Sequence, residues 1–370
     1  MTWPRVSIAM VALAAITLVA PSRSEADPSR GPQWHVGYLR IGAAHAVNEG
    51  DGVVVAVPDS GVDPHPDLRN NVLAGVDVIP GGVGDGRRDE DGHGTGMAGL
   101  IAAHGHGDRE GAIGVAPRAK ILPIYASPPH QDGDSEALAE AVEYAVSRHV
   151  DVISISAAGG AGTRLQQAVK EAIQADIVVV AGAGNTTRSS LVGYPASEPG
   201  VIAVGGVDSH GNHAAISVTG PQIDVVAPAV EIYSTGINGG YRVGTGTSDA
   251  TAIVAGAAAL IRSKFPNLPA QEVAHRLTAT AIDKGPPGRD DEYGYGVIDL
   301  VAALTADIPP LGFETPSITA PPATAAEEEN DGNSTARGLV TLGVLLAAGG
   351  GYLVWRRRRR GDDPPPRISR

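Results

Sequence analysis

Three residues of different chemistry recur in one kind of setting, a glycine-rich turn. They are Asp59 in Asp59-Ser60-Gly61, His93 in Asp91-Gly92-His93-Gly94-Thr95 and Ser248 in Gly246-Thr247-Ser248-Asp249-Ala250. A serine hydroxyl is too weakly acidic to attack a carbonyl unaided. A neutral imidazole within hydrogen-bond reach can take its proton, and a carboxylate on the other ring N–H fixes the tautomer and stabilises the imidazolium that forms. Each residue has a plainer reading alone: His93 as a helix cap or surface side chain, Ser248 as the N-cap of the apolar run that follows it. What favours chemistry is the set, with acid, base and nucleophile in that chain order.

These groups need elements to hold them. The run Gly52 to Val57 is a β-branched block ending at Pro58-Asp59, read as a buried parallel strand that delivers Asp59 at its carboxyl end, where active groups of open α/β sheets gather. His93 starts a small-residue helix reaching toward Ala103. Thr247, Ser248 or Asp249 is expected to cap a helix whose stretch from Ala250 to Ile261 is apolar throughout. Between and after these, strands are expected at Lys120 to Tyr125, Asp151 to Ser156, Ile177 to Ala181, Val201 to Gly205 and Ile223 to Val226. Helices are expected at Ser135 to Arg148, Leu165 to Gln174 and Ala270 to Thr280. This alternation predicts a parallel sheet with helical crossovers. In Ser135 to Arg148 the packing face is Leu138, Ala141, Val142, Ala145 and Val146, with Glu136, Glu140 and Glu143 on a solvated surface.

The chain's 370 residues, 42% hydrophobic, suffice for a sizeable core, and 49 glycines with 28 prolines suit tight turns and close-packed helices. The absence of cysteine excludes disulfides and thiol catalysis. A net charge of −13 argues against a nucleic-acid partner.

The ends differ from the middle. Residues 1–26 carry Arg5, an apolar run and Ser24-Glu25-Ala26, and read as a secretory signal peptide; an uncleaved anchor is the alternative, although the run is short for one. Residues 308–337 are rich in Pro, Thr, Ala and acids and read as a linker. Residues 338–355 form an uncharged apolar run of bilayer-spanning length, followed by a basic tail, 356–370, that opens with five arginines. The positive-inside bias places that tail in the cytoplasm and the region expected to fold, 27–307, outside, so localisation at the cell membrane by a single span is expected.

The three turn motifs, in this order, resemble the signature blocks of the subtilisin-like serine proteases. Ala181-Gly182-Ala183-Gly184-Asn185 resembles the segment carrying that family's oxyanion-hole asparagine, and the likeness extends over Gly52 to Leu304. It implies an α/β, three-layer subtilisin-like fold with a mainly parallel central sheet, here with one C-terminal transmembrane helix. It implies a serine endopeptidase acting through an acyl-enzyme, with Asp59, His93 and Ser248 as the triad and an oxyanion hole of the Ser248 N–H and the Asn185 amide. The substrate-binding segment would be Ser156, Ala157, Ala158 and Gly159, an edge against which peptide adds as a strand. Gly193 would floor a primary pocket open to apolar or aromatic side chains, with Ala158 narrowing its rim.

No cofactor and no required metal are expected, since His104, His106 and Asp108 in the loop to Glu110 read as an exposed turn rather than a calcium loop. The short stretch from Asp27 to Gly52 implies folding without a long prosegment. Two departures stand beside the nucleophile: Asp249 where Met or Phe is usual, and Ala252 where proline is usual. A carboxylate at 249 is expected to raise the proton affinity of His93. The order of signal peptide, peptidase domain, linker and membrane helix is similar to that of the mycosins, which accompany type VII secretion systems. That resemblance implies exported protein substrates and a membrane secretion complex as partner. A rival reading makes the domain chiefly a scaffold for such a complex, with proteolysis secondary.

Overall fold

The computed structural model describes residues 33–106, 110–129 and 134–312, all within the unit that runs to Glu314. The expected signal peptide, most of the linker, the membrane span and the basic tail lie outside the described residues. Among the described residues no helix is long and apolar enough to cross a membrane.

Seven strands make one sheet: β1 (Val54–Asp59), β2 (Val76–Asp77), β5 (Lys120–Tyr125), β6 (Val152–Ile155), β7 (Val178–Gly182), β8 (Ile202–Val207) and β9 (Val225–Pro228). Their order is β2-β5-β1-β6-β7-β8-β9, and every pairing is parallel. Residues of opposite parity feed opposite faces, because strand side chains alternate with period two. Val55, Val57, Ile121, Val152, Val178, Val180 and Val204 join one core with helices α3 (His93–Ala102) and α6 (Thr247–Lys264). Ala56, Leu122, Ile153, Ile155, Val179 and Ala203 join the other, with α4 (Ser135–Ser147) and α5 (Thr163–Gln174). The result is three layers, α/β/α.

Several details differ from the sequence reading. Gly246, not Thr247, Ser248 or Asp249, is the N-cap of α6, and it makes no side-chain cap bond; Ser248 sits inside the first turn. In α4 the buried residues are Ala137, Ala139, Ala141, Val142 and Ala145, while Leu138 and Val146 are half-buried. Glu136 and Glu140 are exposed as expected and Glu143 is half-buried, and the three gather round Arg164 of α5. His104 and His106 are exposed, as expected, but they belong to a strand pair, β3 (His104–His106) with β4 (Glu110–Ile113). His106 Nδ1 reaches Asp67, a carboxylate with no exposed surface that also accepts from Ala112 N at 2.7 Å and Tyr241 Oη at 3.0 Å. A buried acid in need of donors accounts for the His106 contact, although that imidazole stays exposed. Asp108 lies outside the described residues.

Further elements, two helices and a hairpin among them, had no counterpart in the sequence reading. Helices α1 (Trp34–Tyr38) and α2 (Ile41–His45) pack the leading stretch onto the domain, with Trp34 Nε1 donating to Val230 O at 3.1 Å. The hairpin β10 (Ile232–Thr235) and β11 (Tyr241–Gly244) approaches α3, with Ser234 Oγ and Thr235 Oγ1 each donating at 2.7 Å to Gly96 O and Thr95 O.

Candidate active site

The strand order reverses at β1, which has β5 on one side and β6 on the other. In open α/β sheets the crevice beyond the carboxyl ends at such a point is where ligands bind. Asp59 ends β1, and Ser156 follows the end of β6. The cleft there, about 1250 Å³, is lined by Asp59, His93, Ser156, Ala157, Ala158, Gly159, Asn185, Gly193 and Ser248, which are all the sequence-expected site residues.

Asp59 and His93 are joined directly. His93 Nδ1 lies 2.8 Å from Asp59 Oδ1 and 3.0 Å from Oδ2. Two contacts make this approach possible. An added Cβ at Gly94 would lie 2.1 Å from Gly61 O, so only glycine lets α3 come this close to the turn after β1. Asp89, which the sequence reading passed over, then ties the turn to the helix. Its carboxylate accepts from Ser60 Oγ at 2.9 Å, Gly92 N at 2.9 Å, Thr95 N at 2.8 Å and Thr95 Oγ1 at 2.6 Å, while Ser60 Oγ accepts from Gly94 N at 3.0 Å. A buried acid ahead of a helix start was the available signal, since orphan N–H groups there call for an acceptor.

Burial pushes the Asp59 carboxyl upward, but the His93 imidazolium and the Ser60 N–H outweigh it and hold it below the ordinary carboxylate range. The Asp59 charge in turn raises His93 to about 9, against the opposing pull of burial. Asp249, also lining the cleft, is raised to about 6 by burial, with Arg242 and His93 working the other way. Asp249 adds to the proton affinity of His93 as expected, yet it is a minor contributor and Arg242 opposes it.

Ser248 stands on the first turn of α6 in the same cleft. Its Oγ donates to Ser156 O at 3.1 Å, and Ser156 Oγ donates to Ser248 O at 3.2 Å. Within the described residues the Ser248 hydroxyl bonds Ser156 rather than His93. Asn185 follows β7; its Oδ1 accepts Thr247 N at 3.0 Å and Thr247 Oγ1 at 3.2 Å.

The expected substrate edge is only partly available. β6 is an internal strand with β1 and β7 as neighbours, so only its continuation past Ile155 leaves the sheet. Of that continuation, Gly159 already exchanges both backbone hydrogen bonds with Tyr194, at 3.0 Å each. Ala157 and Ala158 are exposed to the cleft. An added Cβ at Gly193 would lie 2.8 Å from the Ala158 methyl, which occupies space beside it.

Residues 50–296 match the Subtilase family of S8 peptidases. Subtilisin DY of Bacillus licheniformis is 40% identical over 260 residues, 69% of this chain and 92% of the relative. Subtilisin E of Bacillus subtilis (strain 168) is 42% identical over 276 residues, 73% of this chain and 70% of the relative. Among solved structures, MycP1 with its N-terminal propeptide removed superposes with a TM-score of 0.68 at 32% identity, covering 75% of this chain and 98% of that one. MycP3 protease from the type VII (ESX-3) secretion system superposes with a TM-score of 0.67 at 34% identity, covering 76% and 90%. With the family match spanning most of the described chain and its cleft at the sheet's reversal point, the protein belongs to the subtilase family and is a subtilisin-like serine endopeptidase.

Proposed function

We propose that Asp59, His93 and Ser248 form the catalytic triad, and that the enzyme cleaves exported proteins from an extracytoplasmic position at the cell membrane, in a mycosin-like role linked to type VII secretion. The observation that carries the chemistry is the grip of Asp59 on His93 Nδ1 in the cleft that also holds Ser248 and Asn185. With Nδ1 so engaged, Nε2 is the nitrogen left to take the Ser248 proton. Attack requires Ser248 Oγ to exchange the Ser156 carbonyl for His93, and catalytic hydrogen bonds of this kind tighten when substrate arrives. The carbonyl oxygen of the tetrahedral adduct would meet the Ser248 N–H and Asn185 Nδ2. His93 then returns the proton to the leaving amine, and water repeats the sequence on the acyl-enzyme.

The secretion link rests on the two solved relatives and on the sequence of the two ends. Fluorophosphonate labelling of the full chain in membranes tests the chemistry. A Ser248 adduct that vanishes in Ser248→Ala supports the triad, and no labelling of folded protein counts against it. Complementation separates the role from the scaffold reading. Secretion lost with Ser248→Ala in cells lacking the protein supports catalysis; secretion retained favours the scaffold. Cleavage of a peptide panel with varied P1 residues tests the expected preference for apolar or aromatic side chains.

A further inference from the structure

Resting on the triad reading, we propose that Arg242 is a positioning residue of the active site: it lies against the helix of the base at Gly96, pairs with Asp249 on the helix of the nucleophile, and limits how firmly His93 holds its proton.

The pair is built into the fold. Arg242 projects from β11, and its Nη1 lies 3.4 Å from Asp249 Oδ1. Two glycines make room for it. An added Cβ at Gly96, one turn along α3 from His93, would lie 2.5 Å from Arg242 Nη1. An added Cβ at Gly244 would lie 2.5 Å from Asp249 Oδ1 and 2.8 Å from Arg242 Nη2. The strand that carries Arg242 is itself anchored, by Tyr241 Oη on Asp67 and by His65 Nε2 on Gly240 O at 2.9 Å. Both charged residues line the catalytic cleft.

The physical need follows from where Asp249 sits. Its side chain is 3% exposed and adjacent in sequence to the nucleophile. A lone carboxylate there would favour imidazolium over the neutral imidazole that general-base catalysis requires. A guanidinium, always charged, sets an opposing field at short range and gives the carboxylate a partner. The charges around His93 are then Asp59 from β1, Asp91 and buried Asp89 from the turn before α3, Asp249 from α6 and Arg242 from β11. Asp134 and Arg188 line the same cleft. Arg242 is the cation among them that holds Asp249.

The test is the pH dependence of kcat/KM for the full chain and its variants on a peptide substrate. Asp249→Asn with Arg242→Gln leaves no orphan carboxylate, so comparing it with Asp249→Asn alone isolates the guanidinium. The acid limb of the double variant should lie higher by about half a pH unit. Arg242→Lys, which keeps the charge, should leave the limb within about 0.2 unit of the parent. Limbs that coincide, with only turnover changed, would overturn the inference and make Arg242 structural. Turnover surviving Ser248→Ala would instead overturn the triad reading, and this inference with it.

Discussion

Asn185 Oδ1 accepts both the N–H and the hydroxyl of Thr247, at 3.0 and 3.2 Å, so the loop after β7 supplies the first turn of α6 with the acceptor its own N-cap, Gly246, lacks. An amide pinned through its oxygen has its NH₂ group directed away, and Nδ2 lies close to Gly246, where an added Cβ would approach it to 3.1 Å. The proposed oxyanion donor is thus fixed before substrate arrives. Asn185→Asp should keep the acceptor and remove the donor. We expect kcat to fall about 10²- to 10³-fold with KM little changed, the range measured for subtilisin itself. Asn185→Ala should lose comparable activity and about 1 kcal/mol of stability besides, because the helix start then has no acceptor. Steady-state kinetics with urea unfolding separate the two effects.

The pH profile is a second expectation. The proposed base, His93, works only when neutral, and Asp59 raises it to about 9. The acid limb of kcat/KM should therefore rise about tenfold per pH unit from neutrality and level off in the alkaline range. Asp59→Asn removes the charge that holds the proton. Its acid limb should move down toward the ordinary imidazole range while the plateau falls about 10⁴-fold. A profile with its midpoint at an ordinary imidazole value in the parent enzyme would contradict this account.

Asp67 marks a third. Its buried carboxylate meets three donors, from His106, Ala112 and Tyr241, and so links the β3–β4 pair to the hairpin that carries Arg242. Asp67→Ala should cost about 1 to 3 kcal/mol, since it leaves the buried Ala112 N–H without its acceptor and releases His106 and Tyr241, and Tyr241→Phe about 1 kcal/mol. A carboxylate already saturated with donors has little use for a cation. Chelator should leave the thermal midpoint of the parent unchanged, and a substantial drop would show that a metal supports this corner.

The sheet and the three residues of the proposed triad, which the structure brings to one cleft, were legible because each announces itself locally. A β-branched run reads as a strand, a small-residue run as a close-packed helix, and the turn motifs are short and contiguous. What escaped was whatever depends on partners distant in the chain. Asp89 stands in the sequence beside Glu90 and Asp91 with nothing to single it out, and only the structure gives it Ser60 and Thr95. The β10–β11 hairpin carried a turn signal in Asn238-Gly239-Gly240, with Asn238 at φ 57°, but its strands are only four residues each. Missing the hairpin meant missing Arg242, and with it the counter-charge to Asp249. The exposure of His104 and His106 was legible, but their strand pairing and the His106 contact with Asp67 were not, for the same reason, since Asp67 lies far earlier in sequence.

Asp249 also couples stability to pH. Its carboxyl titrates near 6 in the folded protein because burial penalises the charged form, against an ordinary value of 3.8. A group whose folded value lies above its unfolded one gives stability that is fully present below about pH 4 and is lost as the pH rises through about 6. The gap corresponds to about 3 kcal/mol. Asn at this position has no proton to lose, so the stability of Asp249→Asn relative to the parent should improve by about that amount between about pH 4 and about pH 7. Urea unfolding of both proteins across this range gives the difference directly, with the other titrating groups cancelling. The gain should come from the buried acid alone, because Arg242 keeps its charge in both proteins. A difference that stays flat with pH would mean that the ion pair keeps Asp249 ionised at little cost. Arg242 would then hold the carboxylate more strongly than a single 3.4 Å contact implies.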